Sequence, residues 1–143
     1  MAARGKMLIH KPKAMAMKVE IENAYSHVPM RGGYRVLVDR LWPRGLSKAR
    51  LALDAWARDL APSTPLRQWF AHDPARWDEF RARYRAELRA PGQSTRLRAL
   101  LDAAGDGPLR LIHAAHDAEH NHALVLCTRL RRLAAAARRA DRG

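Results

Sequence analysis

The sequence predicts a small three-layer α/β domain, with a central, mainly parallel sheet and flanking helices. Three observations predict it. The runs YRVLVDRL (residues 34–41) and LRLIHAA (residues 109–115) carry short apolar stretches of the kind found in strands buried on both faces. Between and after them, apolar residues recur at three- and four-residue spacing, the period of an amphipathic helix. Strands that alternate with helices in this way pair in parallel at the centre of a layered domain.

The elements follow in chain order. The N-terminus, MAARGKMLIHKPKAMAM, is positively charged but has no continuous apolar stretch, so it does not read as a secretory signal. Residues 1–16 read as a disordered extension or as a start misassigned upstream of Met15 or Met17. The domain is expected over 17–136, with a basic tail at 137–143. In KVEIENAY (residues 18–25), Val19, Ile21 and Asn23 alternate with Lys18, Glu20 and Glu22, which predicts a strand with one wet face. The loop SHVPMRGG follows. The buried strand at 34–41 then runs straight into Asp39-Arg40 and Trp42-Pro43-Arg44-Gly45, the look of a loop at a functional edge.

The segment ARLALDAWARDLAPS fits either a short helix or a short strand. Ser63 is placed to cap a short helix through Phe70, with Pro65 in its first turn. Asp73 and Pro74 open the next helix, where Trp77, Phe80, Tyr84 and Leu88 form one stripe before Pro91-Gly92 ends it. Ser94 is read as the cap of TRLRALLDAA, which stops at Gly105. The last helix is expected from about Ala118, with Leu124, Cys127 and Leu130 on its apolar side.

A chain of 143 residues suits one domain with a core that needs no disulfide or metal staple. The single cysteine, Cys127, excludes an internal disulfide and points to a reducing, cytoplasmic setting. No stretch has the length of apolar sequence that crosses a bilayer. The formal net charge of +13 comes almost entirely from arginine. Such an excess suits nucleic acid. It also suits GC-rich coding, in a chain rich in Arg and Ala and poor in Lys, and that compositional reading is preferred.

The strings GYRVLVDRLWPRGLSK, LALDAWARDLAPSTPLRQWF, HDPARWDEFRARYRAEL and LRLIHAAHDAEHNHALVL, in this order and spacing, cover most of residues 33–126. In them the chain resembles the YeaO-like family of small bacterial proteins, a branch of domain of unknown function 488. The resemblance implies a cytoplasmic α/β fold and brings no activity with it. The broader family has a strand ending in Asp and Arg, and a later strand followed by a Cys-His-Arg-like helix start. Here that second position reads Glu119-His120-Asn121-His122, without the cysteine, so thiol chemistry does not transfer. Cys127 sits mid-helix on an apolar stripe and reads as inert core.

Two clusters are candidates for chemistry. The first is the loop with Asp39, Arg40, Trp42, Arg44, Ser47 and Lys48, placed beyond the carboxyl end of a strand, where open α/β sheets bind ligands. Arginine forks there suit phosphate or carboxylate. The second holds His116, Asp117, His120, Asn121 and His122 at the start of the last helix, beside His113 and Glu119. Asp117 is read as the helix cap, and a helix N-terminus favours an anion. His116 and His120 are four apart, but His116 precedes the helix, so no metal and no cofactor are assigned. The expected ligand is a small phosphate- or carboxylate-bearing molecule held between the two clusters. Asp39 and His120 serve as acid or base if the protein is an enzyme, a question left open. The alternatives are a nucleic-acid-associated accessory protein and a non-catalytic partner-binding domain. No membrane association is expected, and the oligomeric state is left open.

Overall fold

The computed structural model describes residues 18–26 and 32–142; the expected extension at 1–16 lies outside them, as does much of the SHVPMRGG loop. Four strands form one all-parallel sheet: β1 (Val19–Asn23), β2 (Tyr34–Leu37), β3 (Ala55–Trp56) and β4 (Leu109–His113), in the order β1-β4-β2-β3. The two apolar runs of the sequence are the two central strands. Their neighbours and the flanking layers remove Val36, Leu37, Leu111 and Ile112 from solvent entirely.

The residues alternate between two unequal layers, as strand geometry requires. Val19, Val36, Val38, Leu109 and Leu111 face the larger core. There they meet helices α2 (Thr64–Phe70), α3 (Trp77–Leu88), α4 (Gln93–Ala104) and α5 (His122–Arg142). The stripe Phe80, Tyr84 and Leu88 is fully buried in this layer, and so are Ala123, Leu126, Cys127 and Leu130 of α5. Leu37 and Ile112 face a smaller cluster with Leu51 of the one-turn helix α1 (Lys48–Leu51), Trp42, Leu46 and Trp56.

The elements that local chemistry marks are in place. Ser63 Oγ accepts the Leu66 N–H and caps α2, with Pro65 in its first turn. Asp73 Oδ1 accepts the Ala75 N–H over a one-turn 3-10 helix that leads into α3. The segment left open at 49–63 holds most of α1, then β3 and a second 3-10 turn, Arg58–Leu60.

Three expectations are corrected. The expected wet side of β1 is only partly wet: Lys18 is exposed and Glu20 half-buried, but Glu22 is buried and forms a bidentate pair with Arg35, at 2.9 and 3.2 Å. That guanidinium also donates to Leu51 O, so the pair is satisfied across the face of the sheet. Ser94 lies inside α4 and does not cap it; Gly92, at φ 90°, turns the chain into the helix. The last helix begins at His122, because residues 117–121 close a separate polar turn. At its other end α5 runs to Arg142, and the basic segment expected from 137 forms its last turns.

Candidate ligand-binding site

After β2 the chain turns outward toward β3; after β4 it returns through α5, which packs on β1 and β4. The loops that leave these two adjacent strands therefore diverge, and a crevice opens beyond their carboxyl ends. A pocket of about 240 Å³ occupies this position. Its wall includes Asp39, Arg40, Trp42 and Arg44 from the first cluster and His120, Asn121 and His122 from the second. Two stretches of chain about eighty residues apart thus meet in one cavity.

Asp39 forms the junction between them. Its Oδ2 accepts the Ala114 N–H at 3.0 Å, and its main-chain oxygen accepts the Trp56 indole N–H at 2.7 Å. His122 Nε2 sits 2.9 Å from Asp39 Oδ1 and 3.0 Å from Val38 O. With a carboxylate and a carbonyl as its neighbours, this nitrogen carries a proton. Its N–H is directed at the carbonyl, and Asp39 Oδ1 is buried in ionic range without a hydrogen bond of its own. The Tyr84 phenol lies edge-on to the His122 ring, with centroids 6.3 Å apart, and donates to Leu60 O at 2.6 Å. Burial drives its pKa far above the ordinary phenol range.

His113, at the end of β4, is buried with its Nδ1 accepting the Ala115 N–H. Desolvation, reinforced by nearby His122 and partly opposed by Asp39, lowers its pKa to about 4. This histidine is therefore neutral at physiological pH and serves the strand end rather than the pocket wall.

The second cluster is ordered by its own polar turn. Asp117 Oδ1 accepts the N–H groups of Glu119 and His120, and Oδ2 holds His120 Nδ1 at 2.8 Å. Those hydrogen bonds, the one from the Glu119 N–H foremost, lower the Asp117 pKa. The ionised carboxylate fixes a proton on His120 Nδ1 and leaves Nε2 as the unengaged ring nitrogen, while Trp77 supports the ring edge-on at 5.5 Å. The cap of α5 is Asn121, not Asp117: Asn121 Oδ1 accepts the Leu124 N–H and its Nδ2 donates to Asp117 O.

The arginines divide by role. Arg40 is a strut, its Nε donating to Pro62 O at 2.9 Å and its Nη2 to Ala61 O at 3.2 Å. Arg44 is held by its backbone, whose carbonyl accepts the Tyr25 hydroxyl at 2.8 Å, and its exposed guanidinium has no partner among the described residues. Arg67 of α2 is likewise exposed, unpartnered among those residues and part of the wall. Trp42, half-buried, donates to Leu46 O and meets Trp56 edge-on at 5.5 Å.

Four residues expected in the site are not part of its wall. Ser47 caps α1 by accepting the Arg50 N–H, and Lys48 lies on a separate depression beside Trp56. His116 is exposed on the loop after β4, ahead of any helix, and Asp117 acts behind His120. The wall instead gains Tyr25, Arg67, Phe70, His72 and Phe80. Of these, only Arg67 carries a sequence signal, an arginine one turn after a capped helix start. Among the described residues, no group of three or more His, Cys, Asp or Glu is placed to hold a metal ion.

Residues 18–142 match the model of a family described as the inactive DUF488-N3 subclade. The chain belongs to the DUF488 family. Among curated relatives, it is 42% identical to the uncharacterized protein YeaO of Escherichia coli K12 over 117 residues, which is 82% of this chain and all of that protein. It is 37% identical over 109 residues to the uncharacterized protein Rv3073c of Mycobacterium tuberculosis H37Rv, covering 76% of this chain and 90% of that one. No solved structure matches the chain. In this DUF488 member the segment at the start of α5 forms one wall of the cavity, and Cys127 is not part of that wall. Its thiol is buried against Val19 O, and burial raises its pKa. Among the described residues no helix is long and apolar enough to cross a membrane.

Proposed function

We propose that this protein binds a small ligand carrying one phosphate or carboxylate group, in the pocket between the VDRLWPRG loop and the start of α5. The observation that carries the reading is a cavity whose wall joins both segments and holds the guanidinium groups of Arg44 and Arg67, which have no partner among the described residues. The first turn of α5 adds the partial positive charge of a helix N-terminus on the same wall. Trp42, Phe70, Phe80 and Leu41 make the rest largely apolar, which suits a ligand with an uncharged body and one anionic end.

Binding without turnover is the form of this proposal that the polar groups favour. The Asp39 carboxylate is committed to Ala114 N–H and to the neighbourhood of His122, which leaves it poorly placed to take a proton from a ligand. The description of the matched subclade as inactive agrees with that reading. His120, with Asp117 behind it, is then a hydrogen-bonding residue for the ligand's anionic end.

A thermal-shift screen of phosphorylated and carboxylated metabolites tests the proposal, followed by titration of any stabilising compound. Arg44→Ala with Arg67→Ala is expected to weaken binding by about a hundredfold, from two charge-assisted hydrogen bonds of about 1.5 kcal/mol each. Unchanged affinity in that double variant, for every compound that binds, would refute it.

A further inference from the structure

A second site for anions lies between α3 and α5. Arg85 of α3 and Arg89 at its C-terminal cap, with Arg129 and Arg132 of α5, line one recess of about 80 Å³ together with buried Leu88. The spacings, four along one helix and three along the other, bring each pair onto a single face. The recess shares no wall residue with the pocket at the sheet edge.

Charge in this recess is uncompensated among the described residues. Asp78 and Glu79 of α3 are taken by Arg81 and Arg83, and Glu87 accepts the N–H and hydroxyl of Ser63. From His122 to Ala140, α5 contains no acidic residue. Among the described residues none of the four guanidinium groups has a hydrogen-bond or ion-pair partner, and Arg129 Nε is buried without an acceptor. A buried donor without a partner is costly, and the exposed Arg85, Arg89 and Arg132 add a repulsion that solvent weakens. An anion relieves both.

We propose that this recess is a phosphate-binding site, taking phosphoryl groups from a free phosphate oligomer or from a nucleic-acid backbone. A carboxylate offers two oxygens in one plane. A phosphoryl group presents its oxygens in several directions, and so meets planar forks that arrive from two helices. The excess of positive charge on the whole chain draws such ligands toward it.

The test uses the full chain with two probes, tripolyphosphate by calorimetry and a labelled single-stranded oligonucleotide by fluorescence anisotropy. Arg129→Gln/Arg132→Gln is compared with Arg58→Gln/Arg98→Gln, which removes the same charge elsewhere. The recess variant is expected to lose about tenfold or more in affinity, the control less than about twofold. For the oligonucleotide, the salt slope should become shallower by about 0.7 for each phosphate that the variant no longer neutralises. Binding of tripolyphosphate alone assigns the site to small phosphates, and binding of the oligonucleotide assigns it to a nucleic-acid backbone. If the first variant does not fold, judged by circular dichroism, Arg85→Gln/Arg89→Gln makes the same comparison from α3. Equal losses in recess and control variants, or no binding of either probe at low salt, overturn the proposal.

Discussion

At the scale of single residues, the wall of the pocket contains a strained corner. Ala71 and His72 hold φ angles of 46° and 58°, in the left-handed region that residues with a Cβ avoid. Ala71 ends α2 by returning its N–H to Arg67 O, and His72 then brings its ring to the cavity, 6.3 Å from that of Phe70. Strain of this kind gathers where a side chain is held for a purpose. His72→Gly should therefore raise unfolding free energy by about 1 kcal/mol while weakening ligand binding; chemical denaturation and ligand titration read the two effects separately. His113 gives a second test. Its pKa is 6.5 ordinarily and about 4 in the fold, so between those values the unfolded chain takes up a proton that the folded chain refuses. Its contribution is thus intact above pH 6.5, declines as pH falls toward 4, and changes little below. The loss amounts to roughly 3 kcal/mol across that window. His113→Gln should flatten the fall in stability between neutral pH and about pH 4.5; a wild-type slope in that variant would contradict the assignment.

At the scale of elements, the carboxyl edge of the sheet is held by polar struts from different parts of the chain. Asp39 ties the end of β2 to the end of β4, Asn23 Nδ2 ties β1 to Ala115 O, and Arg40 ties the same loop to the turn before α2. On the sheet's thinner side, Glu22 and Arg35 do similar work across β4. Glu22→Gln removes the carboxylate charge that faces the buried Arg35 guanidinium, so a loss of about 3 kcal/mol in stability is expected in urea denaturation. A loss under about 1 kcal/mol would mean that water reaches the pair. The central strands, α2 and α3 were legible in the sequence because apolar runs and Ser63, Asp73 and Pro74 encode them locally. The Glu22–Arg35 pair was not, since alternation alone cannot distinguish a wet face from one covered by a distant arginine. The cap of α5 was misplaced by the same logic: Asp117 and Asn121 are both good caps, and only the turn that Asp117 makes with His120 decides between them.

At the scale of the molecule, one surface was legible and its completion was not. YRVLVDRLWPRG and the HDAEHNH segment were expected to meet because both follow central strands, and they do so in one cavity. Tyr25 and His72 come to that cavity from other elements, and no spacing within the chain foretells their arrival; Arg67 comes from the helix start that Ser63 marks. The arginine excess also separates by place: Arg35, Arg40 and Arg110 are struts, Arg44 and Arg67 border the pocket, and four more surround the recess between α3 and α5. The central claim is that the pocket at the sheet edge holds the anionic end of a small ligand. A crystal structure of the full chain grown in phosphate tests it most directly. Phosphate bound by Arg44 and Arg67 beside His120 is the predicted result; a pocket without phosphate, its two arginines turned into solvent while phosphate binds elsewhere on the same molecule, would contradict it.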